Sequence, residues 1–349
     1  MKKKKIVLII VLSILILISG TYLGINLYID SMLNKIDRGD TIEVDDASID
    51  EEVIENIEDD GTHKVFNFAL FGLDKDAGDS LDKGRRSDAM KVISLDYTDK
   101  KIYISSIERD VVAYFPGDYN EYGHYNWAYR YGGPTLAIQT LNYNLDLDIV
   151  NYVSLSMQGL IDIVDTVGGV DIDLTSAEVT ELKRKLREYD SAKADEISLS
   201  VGTNHLDGET ALAYARIRYI DTDYVRMERQ NNIIKEVIKK ISSESFTEIL
   251  NTVNVILPYV ETNFTNSEIK SYLTDLLQFD LSNIETYKMP SGGMQDTTSC
   301  PGLGGYLLYS YTDQVVELHK NIYKVDDYTC SSTVVDNEIR TYETYGKPE

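Results

Sequence analysis

Arginine is scarce in this sequence and unevenly spread. Of its 12 arginines, seven fall in three short stretches: Arg85-Arg86-Ser87-Asp88, Arg109-Asp110, and Arg216-Ile217-Arg218 continuing to Arg226 and Arg229. The planar guanidinium fork binds phosphate oxygens in pairs and keeps its charge when partly buried. In a chain of net charge −24, such grouping suggests a local cationic island built for a diphosphate. Ordinary salt bridges to the abundant carboxylates account for the same arginines, and clustering alone leaves both readings open. The overall charge disfavours nucleic acid as a partner, because so negative a surface repels a phosphate backbone.

The aspartates sharpen the picture. Asp74 ends the apolar run that contains Phe71-Gly72-Leu73, Asp88 directly precedes a second such run, and Asp110 follows Arg109 at the end of a third. Ligand sites of α/β proteins gather at strand ends, where Asp74 and Asp88 are suited to share one Mg²⁺ (or Mn²⁺) with a diphosphate. Taken singly, each is also an ordinary turn residue. Asp223 is an expected N-cap for a helix over Tyr224–Ile241. At 100° per residue, Arg226, Arg229 and Gln230 share one stripe near its N-terminus, while Met227, Ile234, Ile238 and Ile241 form an apolar face. Arginine at the positive end of a helix is unfavourable unless an anion sits there.

Stepping along the chain gives the elements that must hold these groups. Val65–Leu73, Ala89–Asp96 and Lys101–Ile107 have the apolar density of buried strands, the last two joined by a turn at Tyr97–Lys100. Helices are expected at Pro134–Leu145, Ser156–Val167, Glu209–Ala215, Phe246–Val260 (broken near Pro258), Asn266–Phe279 and Asp313–Tyr323. Shorter strands are expected at Val150–Leu155, Val170–Leu174, Thr286–Met289 and Tyr306–Leu308. Alternating strands and helices imply an α/β layered domain with a largely buried sheet.

Ahead of this domain, Lys2–Lys5 precede an apolar stretch running from Ile6 to Ile29. It is long enough to span a hydrocarbon core of about 30 Å, and Ser19-Gly20-Thr21 is a poor signal-peptidase site. The expected division is a cytoplasmic tail at 1–5, a transmembrane anchor at 6–29, an acidic stalk at 30–61 and an outward-facing domain at 62–345 of a single-pass membrane protein. Cys300 and Cys330 are too few for a zinc or redox motif. Outside the cell they are free to form a bridge, and in a reducing compartment they would be two thiols.

The ordered set of segments resembles the LytR-CpsA-Psr family of Gram-positive cell-wall phosphotransferases. The resemblance runs through Phe68–Asp74, Arg86-Ser87-Asp88, Ser106–Asp110, Asn126–Gly133, the Val-Gly-Gly-Val-Asp within Val164–Asp173, Leu206–Arg218, and Asp223–Ile234 with its Arg-x-x-Arg-Gln. It implies an α/β/α sandwich with a mostly buried mixed sheet. The implied activity transfers an anionic glycopolymer of teichoic acid or capsule type from a polyprenyl-diphosphate carrier to peptidoglycan. Carried over by residue, Asp74 and Asp88 would hold the metal, or one of them would help activate the acceptor, with Arg109 also catalytic. Arg86, Arg109, Arg216, Arg218, Arg226, Arg229 and Gln230 would grip the diphosphate, and Asp223 would orient the arginines. The lipid tail calls for an apolar cleft, for which Pro134–Leu145 and Ser156–Val167 carry suitable residues. Two positions depart from the family: Glu108 replaces the usual Pro before Arg-Asp, and His124 stands where a Lys is usual. A non-catalytic receptor for the lipid-linked polymer and a polyprenyl-diphosphate hydrolase are the alternative readings.

Overall fold

The computed structural model describes residues 24–59, 64–73, 86–189, 191–276, 278–291, 295–300 and 303–347. A seven-stranded sheet takes its strands in the order β1 (Asp37–Arg38), β10 (Val260–Thr262), β7 (Tyr152–Ser156), β2 (Val65–Leu73), β3 (Ser87–Asp96), β4 (Lys101–Ile107) and β11 (Glu285–Met289). The sheet is mixed: β2 runs parallel to β7 and antiparallel to β3, and β4 runs antiparallel to β3 but parallel to β11. Three hairpins lie apart from it among the described residues: β5 (Val112–Phe115) with β6 (Glu121–His124), β8 (Val170–Leu174) with β9 (Gly202–Leu206), and β12 (Gln295–Cys300) with β13 (Gly304–Leu308).

The period of two along a strand sorts the central side chains onto two faces. Ala69, Phe71 and Leu73 of β2 join Met90, Val92 and Ile107 on one face. Helices α3 (Tyr125–Leu145), α11 (Tyr311–Tyr323) and α12 (Ser332–Tyr345) supply the rest of that core. Phe66, Phe68 and Leu70 alternate to the other face with Ile93, Leu95, Ile102 and Ile104. There they meet Ile234 and Ile238 of α8 (Asp223–Ser242) and Tyr272 and Leu276 of α10 (Asn266–Leu276). Both faces of the sheet are therefore covered by helices. Helix α3 is broken at Gly133 (φ 66°, ψ −157°), a conformation costly for any residue with a Cβ, so Pro134 opens its second half as its sequence position suggested.

A second core sits beside the sheet. It joins α4 (Met157–Thr166), the β8–β9 hairpin, α5 (Ser176–Tyr189), α6 (Ser191–Glu196) and α7 (Gly208–Ala215) through Val164, Val170, Leu182, Ala211 and Ile217. Helix α8 closes both cores at once. Ile233, Val237 and Ile241 face this lobe, whereas Ile234 and Ile238 face the sheet. The apolar surface expected on α8 is thus two stripes rather than one. Helix α9 (Phe246–Ile256) gives way to a 3-10 turn over Leu257–Tyr259, at the break expected near Pro258, which cannot continue the helix, and β10 follows.

The N-terminal segment is the main difference from expectation. Most of the expected anchor, residues 6–29, lies outside the described residues. Residues 24–33 form helix α1, and among the described residues no helix is long and apolar enough to cross a membrane. The stretch read as a stalk does not stand free. Met32, Leu33 and Ile36 are buried with Leu257, β1 adds an edge strand beside β10, and Ile42 and Ala47 enter the main core. Helix α2 (Glu51–Asp59) follows, with Val53 fully buried. The scattered apolar residues among the acids were the signal for this docking. Leu33→Ala should therefore cost about 2–5 kcal/mol, read as a lowered urea midpoint; a stalk free of the domain would leave the midpoint unchanged.

Candidate active site

β2 ends at Leu73, paired with Ser87, so the first residues of β3 lie at the same sheet end as the last residues of β2. Gly72 sits there because a Cβ would come within 3.0 Å of the Ala89 methyl. β4 ends at Ile107 and delivers Glu108-Arg109-Asp110 to this end. That turn is pinned by Glu108 N–H donating to Met289 O at 2.7 Å and Asn126 N–H donating to Arg109 O at 3.3 Å. From across the sheet, the N-terminus of α8 brings Asp223, Arg226 and Gln230, and the C-terminal end of α7 brings Arg216 and Arg218.

These elements enclose a cavity of about 330 Å³. Leu70, Leu155, Leu160, Leu212, Ile233 and Ile234 make its apolar wall, and Asp88, Lys91, Arg216, Arg218, Arg226 and Gln230 make its polar part. The wall comes from α4, α7, α8 and the sheet. Of the two helices expected to line an apolar cleft, α4 does so through Met157 and Leu160, while the buried side chains of α3 pack into the core on the opposite sheet face.

Asp223 is the hub of the charged groups. Its carboxylate takes Arg226 Nη2 at 2.6 Å, with Arg109 Nη2 at 3.9 Å and Arg218 Nη2 at 4.0 Å. Asp223 is the first residue of α8, and Thr222 occupies the N-cap without a side-chain hydrogen bond, so the expected capping role is replaced by ion pairing. Arg109 also holds Asp88 Oδ1 through Nη1 at 2.7 Å and Asp110 Oδ2 through Nε at 3.3 Å. Burial pulls the Arg109 pKa down, but Asp110, Asp223 and Asp88 together outweigh it and leave it above the usual arginine value. Arg226 goes the other way: burial, reinforced by Arg109, lowers its pKa despite Asp223. Its Nε and the Gln230 Oε1 are buried with no hydrogen-bond partner among the described residues. Such orphaned groups at a cavity call for a ligand or water.

Arg229 is placed elsewhere. Counting 100° per residue, Gln230 lies 40° to one side of Arg226 and Arg229 60° to the other, and the offset separates them. Arg229 is 2% exposed, donates to Glu178 Oε1 at 2.8 Å and Asp221 Oδ1 at 3.1 Å, lies 6.0 Å over the Tyr214 ring, and does not line the cavity. It ties α8 to α5 and to the loop after α7. Arg86 stands exposed at the start of β3, outside the cavity lining. Asp74 lies outside the described residues. His124 turns to Asp110 (3.7 Å) and stacks on Trp127 (4.4 Å between ring centres). Cys330 has a free thiol whose pKa burial pushes up to about 12, and the side chain of Cys300 lies outside the described residues.

Three site residues escaped the reading of the sequence, among them Lys185 of α5, which is 8% exposed and lines the cavity. Lys91, in the middle of β3, is 2% exposed and lines the cavity, donating to Ser106 Oγ at 2.9 Å and Asn231 Oδ1 at 2.7 Å. Burial first, then Arg226, brings its pKa down to about 7. A lysine inside an apolar strand was the available signal. Glu108 stood out only as a family departure; it is 1% exposed beside the arginine cluster.

With this geometry in place, the comparisons with known proteins fall on the same segments. Residues 25–320 match the LytR_cpsA_psr family, and the chain belongs to that family of α/β proteins. Among its relatives, a Bacillus cereus protein named polyisoprenyl-teichoic acid–peptidoglycan teichoic acid transferase TagU is 29% identical over 84% of this chain and 89% of its own length. Biofilm regulatory protein A of Streptococcus mutans is 31% identical over 66% of this chain but only 57% of its own length. The match likewise spans 59% of the Enterococcus faecalis TagU, so the chain covers less than two thirds of these two relatives. A solved Streptococcus agalactiae structure superposes with a TM-score of 0.65 at 26% identity, covering 80% of this chain and 92% of the other.

The two arginines of α8 should separate in a stability measurement. Arg229→Ala leaves Glu178 and Asp221 without their buried cation and should cost about 3–5 kcal/mol. Arg226→Ala relieves a charge whose burial is only partly compensated and should cost less than about 1 kcal/mol. Urea unfolding of both variants at neutral pH checks the contrast, and equal losses would remove the distinction drawn between them.

Proposed function

We propose that the protein transfers an anionic glycopolymer of teichoic acid or capsule type from a polyprenyl-diphosphate carrier to peptidoglycan. The observation that carries this reading is the cavity itself: an apolar wall ending in clustered arginines, with the Arg226 Nε–H unpaired among the described residues. An amphiphile with a prenyl tail and a diphosphate head is complementary to that arrangement. Membership of the family and the name of the Bacillus cereus relative support it. The apolar stretch at residues 6–29, with lysines before it, supports a single-pass anchor with the domain outside the cell.

In this reading an acceptor hydroxyl of peptidoglycan gives its proton to the Asp88 carboxylate, which lines the cavity, and its oxygen bonds to the phosphorus that carries the glycan. The bond from that phosphorus to the bridging oxygen breaks, and polyprenyl monophosphate leaves. Arg226, Arg218 and Arg216 bind the diphosphate oxygens, and Gln230 fixes the head. Arg109, held by Asp88, Asp110 and Asp223, keeps its charge directed at the reacting end. Such preorganised cations stabilise charge developing on the leaving group without reorganising at the moment of reaction.

A Mg²⁺ or Mn²⁺ ion fits the donor chemistry, since Asp88 lines the cavity with a hard carboxylate beside the diphosphate position. Among the described residues no group of three or more carboxylates, histidines or cysteines could hold a metal, so Asp88 and Asp74 would share it with diphosphate oxygens and water. When bound, the ion would neutralise charge on the diphosphate. Hydrolysis needs only water in place of the sugar hydroxyl at the same site.

The full chain in detergent, given a short polyprenyl-diphosphate glycan, peptidoglycan oligomers and Mg²⁺, should yield glycan joined to peptidoglycan through a phosphodiester, detected by mass spectrometry. Arg226→Ala and Asp88→Ala should each lower the rate at least about 100-fold. Tight binding with no product over a range of glycans and metals would replace the transferase with a receptor, and release of free glycan phosphate alone would replace it with a hydrolase.

A further inference from the structure

Glu108 is the residue the transfer chemistry leaves without a part. It sits where the family usually carries Pro, at the junction of β4 with the Arg109 turn, and is 1% exposed. Its two carboxyl oxygens are buried and accept from no N–H or O–H among the described residues. The polar group within hydrogen-bonding reach is the carboxylate of Asp223. Two ionised carboxylates cannot hydrogen-bond, so this contact requires a proton on one of them. Asp223 is committed to Arg226 at 2.6 Å and faces Arg109 and Arg218, which favours its charged form; the proton therefore belongs to Glu108.

We propose that Glu108 is a proton-bearing positioning residue: as a neutral carboxylic acid it donates a hydrogen bond to Asp223 and holds that carboxylate among the arginines, keeping the cavity receptive to an anionic head group. The anionic ligand rests on the function proposed above; the proton rests on the burial of two unpartnered carboxyl oxygens beside the Asp223–arginine cluster. With Glu108 neutral, Arg109, Arg218 and Arg226 face Asp88, Asp110 and Asp223. An ionised Glu108 would add a fourth negative charge and tip that balance against a diphosphate. The groups facing Glu108 are Asp223, Tyr224 and Arg226 from α8 and Asp110 from its own turn, next to Arg109; β11 meets its backbone N–H through the Met289 carbonyl. Burial first, then Asp223, raises the Glu108 pKa to about 9 against the pull of Arg226.

The sign of the linkage follows. A glutamate titrates near 4.3 in the unfolded chain, so between that value and about 9 the fold holds one proton more. The stabilising contribution of this group is complete below the unfolded pKa and is lost as pH rises towards the folded one.

The test compares the full-length wild type with Glu108→Gln, whose amide donates the same hydrogen bond but cannot ionise. Binding of geranylgeranyl diphosphate and thermal melting are followed from pH 5 to 10. Between about pH 8 and pH 10 wild-type affinity should fall about tenfold more than that of Glu108→Gln, the equivalent of one unit of linked pKa, while the loss of charge on Lys91, brought to about 7, is common to both proteins. The wild-type melting temperature should fall relative to the variant as pH rises. Parallel pH profiles in both measurements would overturn the proposal. If neither protein binds the diphosphate at any pH, the function proposed above fails, and the melting profiles still decide whether Glu108 carries the proton. Should the variant not fold, infrared spectra of the wild type serve instead: a protonated-carboxyl band present at pH 7 and lost above pH 9 is expected, and its absence at pH 7 overturns the assignment.

Discussion

Arg226 and Arg109 are 4% and 8% exposed, and each acts electrostatically on the other across one small site. Taking a charged side chain out of water costs several kcal/mol unless geometry repays it, and two like charges together repay nothing to each other. Repayment comes from Asp223, Asp88 and Asp110, which meet the two guanidinium groups from α8, β3 and the turn after β4. The sheet end, the N-terminus of α8 and the β4 turn must all be held in place for the balance to hold. Arg229 supplies one of those constraints, because its pairs with Glu178 and Asp221 fix α8 against the smaller lobe. The Glu108 amide on the Met289 carbonyl supplies another. Removing a clamp would leave charges buried without partners, which is dearer than never having buried them.

Much of this was legible in the sequence because strong local signals agreed with the fold. The strands Val65–Leu73 and Lys101–Ile107 were bounded as observed, since dense apolar runs flanked by turn residues leave few alternatives. Of the clustered arginines, Arg216, Arg218 and Arg226 line the cavity with Gln230, while Arg86, Arg109 and Arg229 do not; Asp223 pairs with Arg226 and faces Arg109 and Arg218. What failed did so for lack of a partner in view. Arg229 shares a helical stripe with Arg226 to within 60°, and only the positions of Glu178 and Asp221, brought by other elements, show that it turns away. The acidic 30–61 stretch looked like a stalk because its apolar residues are sparse; they bury against Leu257 and Val260, far along the chain. The β5–β6 hairpin and α12 pass unnoticed because their apolar residues are few and are completed by tertiary neighbours such as Tyr311 and Leu308.

Lys91 and Glu108 illustrate a limit of another kind. Residue type says that a lysine is positive and a glutamate negative, and the surrounding charge count was built on that convention. Burial removes it. A lysine brought to about 7 is only partly charged at neutrality, and a glutamate raised to about 9 is neutral there. Protonation states at this site are products of the fold, so no count of charged residues along the chain gives the charge that a ligand meets.

The contrast between inside and outside then matters for how a ligand arrives. The chain carries −24 overall, so an anionic polymer approaching through bulk solvent is screened by salt beyond about 8 Å and meets repulsion once inside that distance. The arginine cluster cannot steer from a distance, because its charge is buried and locally balanced by aspartates. A site of this kind gains little from diffusional capture and much from a raised local concentration, as when enzyme and carrier lipid share a membrane plane. On the proposed function, the anchor at residues 6–29 is thus part of the binding energetics: confinement offsets the surface repulsion, and the cavity needs only to discriminate a diphosphate head on an apolar tail once the two have met.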